Sequence, residues 1–71
     1  MSKAEAAFEA LKASAEPFVM ATDVAPVLGV DAQSLRLQMK EDATALGFKV
    51  TKVGGRTLIP RLAFLRYVEG A

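Results

Sequence analysis

Four side chains between residues 33 and 40 recur at i, i+3, i+4 and i+7: Gln33, Arg36, Leu37 and Lys40. That spacing puts them on one face of an α-helix. Glutamine and arginine carry paired groups that match base edges, Gln preferring adenine and Arg guanine. Lysine offers a point charge to phosphate, fixing register without reading sequence. Ser34 suits either role. Leu37 forms no hydrogen bond; among polar neighbours it suits contact with a thymine methyl, or burial against Leu46. A second cationic group follows at Lys52 and Arg56, on either side of Val53-Gly54-Gly55. There the bare glycine backbone lets another molecule approach closely. The chemistry of this set is recognition of a polyanion. The plainer alternative is a solvated helix face and a solubilising hairpin tip.

The remaining composition argues against catalysis. The 71 residues contain no cysteine and no histidine, which excludes thiolate and imidazole nucleophile–base pairs and the usual zinc ligands. No paired-carboxylate constellation, nucleophile motif or phosphate-binding glycine loop stands out, so no catalytic residue, metal or cofactor is expected and the chain does not read as an enzyme. Net charge is only +1 but unevenly placed. Residues 1–35 carry two lysines and five carboxylates, net −3, whereas residues 36–66 carry seven cations and two carboxylates, net +5. An anionic partner for the second half follows. The length suits a single domain, 1–71, with a modest core, and the absence of a long apolar run leads us to expect a cytoplasmic, non-membrane protein of a bacterial or phage-infected cell.

The elements that must position these side chains are readable in order. Ser2 with Glu5 is a capping signal for an Ala-rich N-terminal helix over 2–15, ended by Glu16-Pro17, with Phe8 and Leu11 as its only large apolar residues. Phe18-Val19-Met20 reads as an extended lead-in that plugs the core. Thr22 is the expected cap of a short helix using Val24, Val27 and Leu28, with Pro26 in its first turn and Gly29 as its stop. Val30 is expected to pack down behind that turn. Asp31 caps the next helix, whose core face is Ala32, Leu35 and Met39. It ends near Glu41, although helical pattern continues to Leu46 and Gly47. Gly54-Gly55 predicts a two-residue hairpin turn, pairing Val53 with Arg56, Lys52 with Thr57, Thr51 with Leu58 and Val50 with Ile59. A last helix runs from Arg61 to Val68 on Leu62, Phe64, Leu65 and Val68, stopped by Gly70. Arg61 lies at the positive end of that helix, so a phosphate or a carboxylate from outside is expected to compensate it.

The resulting fold class is α+β and mostly helical: a winged helix-turn-helix with a two-stranded hairpin wing, an extra N-terminal helix (1–16) and a C-terminal helix. Residues 18–69 resemble the excisionase-like helix-turn-helix proteins of phages and other mobile elements, relatives of the MerR-type winged-helix fold. The matching features are Val24-Ala25, Leu28-Gly29-Val30, the helix after Asp31, Gly55-Arg56 and Ile59-Pro60-Arg61. The resemblance implies a small DNA-binding protein, often an accessory factor in site-specific recombination or a regulator. It places the DNA-contacting helix on Ala32, Gln33, Ser34, Arg36 and Leu37, and the wing on Lys52 to Arg56. With Lys40 added to the helix and Thr51 to the wing, the candidate wing contacts are Thr51, Lys52, Gly54, Gly55 and Arg56, and Arg61 is a further candidate for phosphate. Where the family often has serine, this chain has Asp31.

Double-stranded DNA is therefore the expected partner, bound by a homodimer or cooperative array and accompanied by a protein partner such as a recombinase. With about five usable cations, affinity would fall with salt at a log–log slope of roughly −4 to −5. Two alternatives stand beside this reading. One is the DNA-recognition domain of a phage packaging (small terminase) factor. The other is a winged-helix protein-interaction module docking through Leu37, Val53 and Leu58.

Overall fold

A computed structural model describes residues 2–70. Helix α1, Lys3–Ala13, begins at Ser2, whose Oγ accepts the Glu5 N–H at 3.1 Å. It stops short of the expected end at 15–16. Ser14 turns extended, and its Oγ accepts the Glu16 N–H at 3.1 Å, a local bond that competes with a further helical turn. Leu11 is buried and Phe8 packs beside it, so the thin apolar stripe docks on the core.

Phe18–Val19 form a short strand, β1. Its register against the later strand β3, Arg56–Pro60, is Val19 opposite Ile59 and Phe18 opposite Pro60. The sheet is therefore three-stranded and antiparallel, in the order β1-β3-β2, where β2 is Thr51–Val53. The two-stranded hairpin forms as expected, and the lead-in adds a third strand to it. Only Val19 of the lead-in is buried, because alternate residues of a strand point to opposite faces; Phe18 and Met20 are partly exposed.

Helix α2, Ala21–Leu28, is capped at Met20 and not at Thr22. Asp23 decides the start, its Oδ2 accepting the Met20 N–H at 2.9 Å. Pro26 consequently lies deeper in the helix than expected, and having no N–H it leaves the Thr22 carbonyl without its usual donor. Both residues are exposed, so water can satisfy that carbonyl. Gly29 closes the helix in the left-handed region at φ 70°, and the Val30 N–H reaches back to the Ala25 carbonyl at 3.1 Å. Val30 itself is 48% exposed and does not pack behind the turn as expected. Its backbone makes the closing bond, which leaves the side chain facing outward.

Asp31 starts helix α3, Ala32–Glu41, through a 3.0 Å bond from the Ser34 N–H to its Oδ2. Leu35 and Met39 enter the core and Ala32 is half-buried. The helix ends at Asp42, and turns over 43–46 carry Leu46 into the core. The hairpin of β2 and β3 has the expected register at three positions: Thr51 with Leu58, Lys52 with Thr57 and Val53 with Arg56. Gly54 and Gly55 have φ 53° and 80°, the doubly positive turn that matches strand twist. The fourth expected pair, Val50 with Ile59, does not form as a ladder pair. The Val50 N–H instead donates to Ala43 at 2.9 Å.

Helix α4, Arg61–Glu69, buries Phe64 and Leu65 and ends at Gly70. Leu62, expected in its core stripe, is 59% exposed. The core centres on Val24, Met39, Val50, Ile59 and Phe64, contributed by α2, α3, α4, β3 and the loop before β2, with no buried polar residue among those described. Among the described residues, no helix is long and apolar enough to cross a membrane.

Candidate nucleic-acid interface

The outward face of α3 and the hairpin flank one groove of about 650 Å³. Its walls carry Gln33, Arg36, Leu37 and Lys40 from α3, and Lys52, Gly55, Arg56 and Thr57 from the hairpin; Met20 and Ala21 close one end. The fold thus brings together most of the side chains singled out above. Its four cations, Arg36, Lys40, Lys52 and Arg56, face no carboxylate among the lining residues. Among the described residues the only ion pair within 4.0 Å is Lys12 with Glu9 at 3.7 Å, on α1. None of the four groove cations forms an ion pair within 4.0 Å with a described carboxylate.

Two of those cations are held in place. The Arg36 Nη1 donates to Gln33 Oε1 at 3.0 Å, a contact across one turn of α3. The Lys52 ammonium donates to the Lys40 carbonyl at 2.8 Å, at the negative end of the α3 dipole. The hairpin is thereby tied to the end of the helix. Asp42, which ends α3, would be unfavourable at that negative terminus by itself. Its Oδ1 accepts the Thr44 N–H at 2.9 Å and the Thr44 hydroxyl at 2.7 Å. Those bonds, the amide first and the hydroxyl second, hold its carboxyl below the ordinary aspartate range, helped by the nearby Lys52 charge.

A depressed folded-state pKa gives stability that is present above the unfolded pKa, about 3.9, and lost as pH falls through the lower folded value. Asp42→Asn removes that titration. In thermal melts the stability advantage of the wild type over Asp42→Asn should shrink as pH drops below about 4. A difference independent of pH down to the acid limit would contradict the assignment.

Other expected site residues lie elsewhere. Ala32 is half-buried. Ser34 donates its hydroxyl to Asp31 Oδ2 at 3.4 Å, and it lines a separate groove with Val30, Gln38 and Tyr67. Thr51 and Gly54 are exposed on the hairpin but do not line the cationic groove. Arg61 forms no ion pair with a described carboxylate. Its Nε donates to the Glu16 carbonyl at 2.6 Å and its Nη1 to the Leu11 carbonyl at 3.0 Å. The cation at the start of α4 is thus compensated by backbone oxygens, including one from the last turn of α1, where positive charge is favourable. That engagement occupies Nε and Nη1, and Arg61 does not line the cationic groove.

Met20, Ala21 and Thr57 are groove residues that the linear pattern did not single out. Thr57 had one available signal, its place opposite Lys52. Met20 and Ala21 are carried there by the β1–β3 pairing, a long-range contact without local signature. Among the described residues, no group of three or more His, Cys, Asp or Glu is arranged to hold a metal ion. Comparison of the chain with protein-family models, with curated proteins and with solved structures finds no match.

Proposed function

We propose that the chain is a small, non-catalytic, DNA-binding protein of winged helix-turn-helix type. The supporting observation is the groove itself, where four cations from α3 and the hairpin converge and no carboxylate is among the lining residues. In this reading α3 is the recognition helix. An α-helix is about 10–12 Å across with its side chains, and the B-DNA major groove is about 12 Å wide. The β2–β3 hairpin is the wing, placing Arg56 and Lys52 on the phosphate backbone or neighbouring minor groove. The element order α1-β1-α2-α3-β2-β3-α4, with β1 completing the sheet beside β3, supports the winged description. The biological role that fits the excisionase-like resemblance is an accessory factor of a phage or mobile element, or a transcriptional regulator.

One observation favours a second reading, a winged-helix module that binds protein. Leu37 and Val53 are 53% and 57% exposed, and Leu37 lies within the groove. Leu58 is half-buried and contributes less than its sequence position suggested. Selection from a pool of random duplexes at low salt separates the two readings. The DNA reading expects retained duplexes to share a short motif, and Arg36→Ala with Arg56→Ala to abolish their retention. Equal retention of duplex by that double variant would favour the protein partner.

A further inference from the structure

We propose that Arg36 reads a guanine in the DNA site and that Gln33 is its positioning residue, not an independent reader of adenine. The inference rests on the DNA-binding reading above and sharpens it to one base. Residue types alone allot one base to each side chain. The structure couples them instead. Gln33 Oε1 accepts from Arg36 Nη1 at 3.0 Å, so the glutamine acceptor is already engaged along α3. Reading adenine requires that same oxygen to accept from N6 while the amide donates to N7. The two uses compete for one atom.

Arg36 loses nothing by the contact. A guanidinium carries five N–H donors in a rigid plane, and a bond at Nη1 leaves the opposite edge, Nε and Nη2, complete. Those two parallel donors match O6 and N7 of guanine. The bond also fixes the plane of a long side chain that would otherwise sample many rotamers, so part of the ordering cost is met before DNA arrives. Glutamine suits this role because it is neutral. A glutamate would hold the guanidinium equally well but would oppose phosphate. Lys40, one turn further along the same face, completes the set as a backbone contact.

The test is a random-duplex selection with the wild type, Gln33→Ala, Gln33→Glu and Arg36→Ala, followed by affinities for duplexes altered at each selected position. The wild type should require one guanine, and its replacement by another base or by 7-deazaguanine should weaken binding roughly 5- to 150-fold, the range of one bidentate pair. Arg36→Ala should erase that preference. Gln33→Ala should weaken it at the same guanine and at no other position. Gln33→Glu should restore the preference while lowering affinity for all duplexes alike. A loss of discrimination at an adenine in Gln33→Ala, or an unchanged guanine preference, would overturn the proposal while leaving DNA binding intact. Failure of the wild type to retain any duplex would instead overturn the DNA-binding reading beneath it.

Discussion

Phe64→Ala should lower the thermal midpoint by on the order of 10–40 °C, enough to leave much of the chain unfolded at ordinary temperatures. Phe64 heads the fully buried side chains, with no exposed surface, and sits on α4 where that helix meets the rest of the core. Truncating a buried phenylalanine costs about 3–5 kcal/mol through lost transfer energy and the cavity left behind. A domain of this length holds only about 4–10 kcal/mol in total. Each kcal/mol moves the midpoint by roughly 4–8 °C at this size. Leu62→Ala on the same helix is the matched control. That side chain is 59% exposed, and its loss should change stability by no more than about 0.5 kcal/mol. A Phe64→Ala midpoint within a few degrees of the wild type would show that α4 does not anchor the core.

The second large effect concerns the groove. On the proposed DNA-binding reading, replacing Arg36, Lys40 and Arg56 together with alanine should weaken duplex binding by about 100-fold or more, since it would remove one base-reading fork and two phosphate contacts. All three are exposed and none takes part in an ion pair among the described residues. Stability should accordingly remain within about 0.5 kcal/mol of the wild type. Lys3→Ala with Lys12→Ala removes two cations from α1, outside the groove, and should leave affinity nearly unchanged. Equal losses from both sets would mean that net charge, and not the arrangement on α3 and the hairpin, draws the DNA.

What was legible in the residues is local chemistry. Asp31 capping α3, Gly29 closing α2 and the Gly54-Gly55 turn each act within a few residues, and each stands where its type predicts. The turn also sets the hairpin register, so Lys52 could be placed opposite Thr57 without knowledge of the rest of the fold. The cationic face of α3 follows from helical periodicity alone. What was not legible depends on contacts between distant segments. A two-residue strand has no period, so the pairing of Phe18–Val19 with β3 was hidden, and with it the arrival of Met20 in the groove. Thr22 and Asp23 both favour a helix start; the aspartate prevailed by reaching back to Met20 from inside the first turn. Helical spacing points Leu62 to the core, and its place after the Gly29 turn does the same for Val30, but both side chains are largely exposed. The two lysine and arginine side chains whose partners lay furthest away were the hardest to place. Lys52 bonds to Lys40, and Arg61 bonds to Leu11 and Glu16.

Those two side chains change the expected electrostatics. With Arg36 turned to a base and Arg61 bonded to carbonyls, two to three cations remain to meet phosphate, namely Lys40 and Arg56, with Lys52 partly engaged at the end of α3. At about −0.9 per contact the log–log salt slope becomes roughly −2 to −3, shallower than the total charge of the basic segment suggests. The most direct measurement is the duplex affinity of the wild-type chain, followed by fluorescence anisotropy as salt rises from about 50 mM to about 200 mM. DNA binding through this groove predicts a weakening of roughly 10- to 40-fold over that range. An affinity independent of salt, or no detectable binding at the lowest salt, would contradict it.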